Sequence, residues 1–218
     1  MNCVLGQDVP YPSHRNIENG PTDRAEVHST MNEKRGFSRE VIKKIALKDG
    51  LPPDDALLDK MEAAQNHMAV WTILRLVQNA RRDIAAHLPG AYPTLQDVAD
   101  NTRLDSPYAD LLRPNTFETF HHLFEKPHSP YAGRFYSYLI ARIRAVAAWE
   151  PFKENGLRNP EWLGKMRKTL YASGVGGDNS TFMADYLGKE ETLEPFLQSL
   201  GVRPQAPGPD AQPRPVPG

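Results

Sequence analysis

The chain has 218 residues, of which 39% are hydrophobic and 24% charged, enough for one domain with a buried core. Its 26 basic and 27 acidic side chains leave a formal net charge of -1, which argues against a nucleic-acid binder working through a basic surface. One cysteine, Cys3, excludes a disulfide scaffold and a cysteine-based zinc site. No apolar run is long enough to span a membrane.

In chain order, residues 1–36 are polar and show no sustained period, which predicts loop. Met1–Gln7 lacks the apolar stretch of a signal peptide, and Pro10, Pro12 and Pro21 break any amphipathic leader. Ser38 is expected to cap a helix over Arg39–Lys48, with Val41, Ile42, Ile45 and Ala46 at helical spacing and Gly50 as its stop. Pro52-Pro53-Asp54-Asp55 opens the next helix, whose apolar face is Leu57, Leu58, Met61 and Ala64. Asn66 is the expected cap of a long helix through His87, and Thr94 of a short one with Leu95 and Val98. Further helices are predicted over Phe117–Phe124, Tyr131 to about Phe152, Asn159-Pro160 through Tyr171, Thr181–Leu187 and Glu191–Leu200. Strand signals are absent, so the fold class is all-α, a helical bundle with disordered ends. Residues 203–218 hold six prolines in sixteen positions, a density that predicts a disordered tail.

None of the seven histidines is followed by glutamate, so the chain has no H-E-x-x-H helix. His121 and His122 point about 100° apart on a helix and cannot chelate one metal together there. On the helix predicted from Tyr131, residues Tyr131, Phe135, Tyr138 and Arg142 share one face. Such a stripe either packs a core or presents phenols to a developing oxyanion. The glycine-rich Ser173–Ser180 reads as a turn between helices, because it lacks the Lys-Ser/Thr end of a P-loop.

Several motifs in order resemble the C-terminal region of the thimet oligopeptidase family of zinc metallopeptidases, which includes mitochondrial intermediate peptidase. They are Phe120-His121-His122-Leu123, Tyr131-Ala-Gly-Arg-Phe-Tyr-Ser-Tyr-Leu139, the Gly176-Gly177-Asp178 turn, Tyr186-Leu187-Gly188-Lys189-Glu190, and Pro195-Phe196-Leu197 to Leu200-Gly201-Val202. Upstream, Leu51-Pro52-Pro53-Asp54 to Lys60, Leu74 to His87, and Ala25-Glu26-Val27-His28-Ser29 to Glu33 are similar to family stretches, giving coverage of roughly residues 20–202. The resemblance implies a helical oligopeptidase-like domain over residues 25–202, after a weakly ordered segment 1–24 and before the tail 203–218.

By the same resemblance Glu26 is the third zinc ligand and Glu33 supports it. His122, Tyr131 and Tyr138 contact the substrate and its tetrahedral intermediate, with His128 a competitor for the role of His122. The implied substrate is a peptide and the implied cofactor is zinc. The two histidine ligands and the general base of H-E-x-x-H are missing, so these residues alone are not expected to hold zinc. Phe135 stands where the family usually has tyrosine. The expected readings are a truncated or partial zinc oligopeptidase, its missing helix supplied by another polypeptide, or a non-catalytic peptide-binding or scaffold module of the same ancestry. An unrelated helical regulator is a third. No nucleic-acid or membrane partner is expected, and the compartment is cytoplasm or mitochondrial matrix, without a targeting segment.

Overall fold

The computed structural model describes Val9, Tyr11 and residues 21–108, 121–124, 132–174 and 180–202, except for the side chains of Thr22, Asn66, His121 and His122. The described residues form helices and turns with one isolated bridge, Lys48 to Leu51. The all-α expectation therefore stands. Among these residues no helix is long and apolar enough to cross a membrane.

The chain order begins with α1 (Thr22–Ala25) and α2 (Val27–Gly36), where patterning alone predicts loop. That expectation fails because two apolar side chains suffice. Val27 and Met31, one turn apart, are 0% and 2% exposed and fasten α2 to the core. Then come α3 (Arg39–Ile45) and α4 (Asp55–Asn66). Helix α3 stops short of Gly50, and the Ser38 hydroxyl bonds the Arg35 carbonyl rather than capping α3. Asp54 does cap α4, accepting from the Leu57 amide at 2.7 Å.

Helix α5 (Ala69–His87) follows a left-handed Met68, so Asn66 ends one helix instead of capping the next. Helix α6 (Leu95–Asn101) starts after Thr94 as expected and carries a capping box: Thr94 and Asp97 bond each other's backbone amides. Helix α7 is His121–Phe124, and the long α8 is Ser137–Asn155. Asn159 caps α9 (Pro160–Lys165), which runs on into a π-helical turn, Met166–Tyr171. Helices α10 (Phe182–Leu187) and α11 (Glu194–Ser199) complete the described chain. The tail 203–218 and most of the first twenty residues lie outside the described residues.

Helix α8 is the hub, touching α1, α2, α5, α10 and α11. Ala141, Ala145 and Ala148 are 0% exposed, and their small side chains let neighbouring helices approach closely. One core packs there, with Val27, Met31, Leu170, Phe182 and Tyr186. A second core joins Ala80, Ala85, Val98, Leu123 and Phe135. Replacing Ala145 with leucine forces added volume into a filled site and should cost about 1–3 kcal/mol. Urea unfolding checks this, with a lower midpoint at unchanged slope as the expected result.

Candidate functional site

Glu26 sits at the joint between α1 and α2, ending one and opening the other. It is half-buried, and its carboxylate accepts a hydrogen bond from the Ser29 hydroxyl at 2.7 Å. Its neighbours two residues away on either side are the anchors. Arg24 is 1% exposed and donates to the Thr169 carbonyl at 3.2 Å and to the Ser173 hydroxyl. His28, 8% exposed, donates from Nε2 to the Leu170 carbonyl and lies against the Tyr171 ring at 4.5 Å.

Both anchoring carbonyls belong to the π-helical turn. Its wider winding, marked by the Ala172 amide reaching the Arg167 carbonyl at 2.8 Å, alters the usual carbonyl pairing there. Burial makes each anchor costly to break, because a desolvated guanidinium or imidazole has no water to fall back on.

A charged layer surrounds this joint. The guanidinium groups of Arg24 and Arg144 stand 4.7 and 5.0 Å from the centroid of the Phe182 ring. Arg144 also pairs with Asp23, and with Glu191 at 3.5 Å. Burial pushes the Glu191 carboxyl upward, while Arg144 pulls the other way.

The aromatic segment is held differently. Asp83 of α5 is 0% exposed. Its carboxylate accepts the Gly133 amide at 2.9 Å and the Phe135 amide at 2.7 Å. His87, one turn on, lies 3.0 Å from the same carboxylate. Gly133 has φ 68, and a Cβ there would meet the His87 Cβ at 4.0 Å. The constraint at Gly133 is therefore backbone conformation rather than space.

Residues 132–136 form turns, so α8 starts at Ser137 rather than at Tyr131. The expected single-helix stripe is thereby split. Phe135 is buried in the second core and its ring meets Tyr138 at 5.1 Å. Tyr138 is half-buried, and the exposed phenol of the segment is Tyr136, which sequence reasoning did not single out. His122 lies in α7, with its side chain outside the described residues. Tyr131 and His128 also lie outside them. Glu33 is exposed on α2.

Among the described residues no three His, Cys, Asp or Glu side chains gather as a metal-ligand set. Glu26 offers one carboxylate, and the nearby His28 spends Nε2 on Leu170. The described residues thus do not form a zinc site by themselves.

The pattern of Peptidase family M3 matches residues 6–202, and the chain belongs to that family, one of zinc metallopeptidases. It is 27% identical over 194 residues to Oligopeptidase A of Escherichia coli K12, covering 86% of this chain and 28% of that protein. It is 28% identical over 159 residues to the Thimet-like oligopeptidase of Dictyostelium discoideum, covering 70% of this chain and 22% of that protein. The chain therefore spans about a quarter of the length of these curated relatives.

Arg24, His28 and Asp83 were not singled out by sequence reasoning. The available signal was a pair, Asp83 and His87, four residues apart on one helix.

Asp83→Asn should remove one acceptor and turn an amide group toward a backbone amide. The expected loss is about 1–3 kcal/mol, with hydrogen-exchange protection lost at Gly133 and Phe135 before the rest of the core; unchanged protection there would contradict the clamp.

Burial holds the His28 imidazole below its ordinary 6.5 and the Arg24 charge adds to this, while the Leu170 and Ala25 carbonyls partly oppose. Folded His28 thus resists a proton that the unfolded chain accepts. Its stabilising contribution is whole above about pH 6.5 and shrinks as pH falls below it. Thermal melts from about pH 7.5 down to 5.5 should show a falling midpoint, with a shallower slope in His28→Gln.

Proposed function

We propose that this chain forms the substrate-facing part of a zinc oligopeptidase that cleaves short peptides. The observation that carries this reading is Glu26, held between two buried anchors at a helix joint inside a chain matched by the M3 pattern over residues 6–202. Side chains flanking a metal ligand set its position, and buried anchors hold that position firmly. In this reading Glu26 is one zinc ligand, with Glu33 beside it in sequence, and two further donors and a general base come from an H-E-x-x-H helix in another polypeptide segment. His122, Tyr131 and Tyr138 line the peptide path, Tyr138 steadied by Phe135. Precursor-peptide processing is one such use, in cytoplasm or mitochondrial matrix.

Exposed apolar side chains support a covering partner segment. Ile45, Leu47 and Leu51, at and just after the end of α3, are 72%, 53% and 69% exposed, and Leu57 of α4 is 49% exposed. Exposed large apolar side chains in one stretch of sequence fit a surface that meets another chain or segment.

A second reading rests on the donor set. With His28 committed to Leu170 and no described cluster of three ligands, the chain by itself would bind peptides without cutting them.

The test is the protein isolated at native mass from its source cells, assayed with an internally quenched peptide and analysed for zinc. The first reading expects cleavage by a species that contains an H-E-x-x-H segment. In that species Glu26→Gln should release zinc, and Tyr138→Phe should slow turnover about 10- to 1000-fold. A metal-free species of this chain's own mass that binds peptide without cleaving it would overturn the first reading in favour of the second.

A further inference from the structure

On the α2 side of α8 lies a cavity of about 200 Å³. Lys34 of α2 and Arg142 of α8 both line it, as do Thr30, Thr72 and Ser199, the Ser199 hydroxyl donating to the Phe196 carbonyl at 2.7 Å. No carboxylate is among its lining residues. Among the described residues, neither cation has a carboxylate within salt-bridge distance. The nearest acids are otherwise placed: Glu150 pairs with Lys153 at 2.9 Å, and Glu33 points to the exposed side of α2. Two cations at one cavity repel each other unless an anion sits between them. Val146 and Phe196, 4% and 7% exposed, give the cavity an apolar side.

The cavity lies on the helix faces that carry the candidate site. The Thr30 amide bonds the Glu26 carbonyl at 3.1 Å, so the helical turn is continuous from Glu26, and Thr30 and Lys34 follow at i+4 and i+8. On α8, Arg142 follows Tyr138 at i+4. Both pairs of residues therefore sit one above the other.

We propose that this cavity is a carboxylate subsite, in which Lys34 and Arg142 hold an acidic group of a bound peptide. The inference rests on the peptidase reading for its peptide, but not for its anion. A guanidinium and an ammonium over one carboxylate supply charge-assisted bonds with more donors than its two oxygens require. The carboxylate has two sources, the peptide's C-terminus or an aspartate or glutamate side chain. Burial together with the Arg142 and Lys153 charges holds the Lys34 ammonium below the usual lysine range, with Glu150 and Glu33 only partly opposing.

Titration calorimetry of the full chain tests this at fixed ionic strength, with a set of short peptides and with succinate as a simple carboxylate probe. The expected result is that a peptide with a free C-terminus or an acidic residue binds, and that Lys34→Gln and Arg142→Gln each weaken it roughly tenfold or more. Amidating the C-terminus and replacing glutamate by glutamine then tell which carboxylate is held. Both substitutions remove like-charge repulsion, so neither should lower the melting temperature of the free chain. Ser199→Ala, which keeps both charges, should weaken binding less.

Equal affinity of neutral and acidic peptides, or of wild type and the Lys34→Gln/Arg142→Gln double variant, would overturn the subsite and leave peptide binding intact. Succinate binding that needs Lys34, with no peptide binding at all, would keep the carboxylate subsite and overturn its peptide occupant. No heat with peptide or succinate would overturn both.

Discussion

A carboxylate at zero exposure must be met by donors on all sides, and Asp83 is such a group. Its two oxygens take the amides of Gly133 and Phe135, and His87 Nδ1, which bonds the Asp83 backbone carbonyl at 2.8 Å, lies 3.0 Å from the carboxylate. That arrangement decides where the chain can enter α8. Because α8 carries the alanine face on which α1, α2, α10 and α11 settle, the entry point sets the register of both cores. Phe135 illustrates the linkage: its amide is bonded to Asp83 while its ring fills the second core against Tyr138.

What was legible in the sequence was whatever is local. The helix starts at Thr94, at Pro52–Asp55 and at Asn159-Pro160 each need only residues within one turn, and each forms where the sequence places it. What was illegible depends on distant partners. Helix α2 has too few apolar residues to announce itself, yet Val27 and Met31 find a core made by residues over a hundred positions away. The π-helical turn has no composition signal at all. It becomes intelligible only when Arg24 and His28 are seen taking its carbonyls. The aromatic stripe failed for a related reason. Helical spacing placed Tyr131, Phe135, Tyr138 and Arg142 on one face, but residues 132–136 form turns held by the buried carboxylate, and Phe135 goes to a core while Arg142 lines a cavity.

The candidate site was legible in a different way. Glu26 came to notice through a resemblance, since a lone glutamate in a polar stretch has no signature of its own. The structure supplies the physical reason that position is well defined. Arg24 and His28 face inward because α1 and α2 meet at Glu26, and residues two on either side of the joint turn to the same neighbour. The glutamate between them is left half-buried, its carboxylate accepting from Ser29 among the described residues. A group positioned by its neighbours and not consumed by them remains available to a ligand.

The contrast between two pairs of cations extends this argument. Arg24 and Arg144 also lie near each other, and their charges also act against one another. There the chain answers with Asp23, Glu191, a backbone carbonyl and the face of Phe182, and the result is a charge-paired layer around α1, α8 and α10. Lys34 and Arg142 receive no such answer from the described residues around their cavity. A folded chain tolerates an unbalanced pair only where the loss is small or something else balances it, and partial burial of Lys34 raises the loss. The same helix thus presents one cationic pair completed from within, which serves the fold, and one left open to solvent, which has the chemistry to recognise an anion.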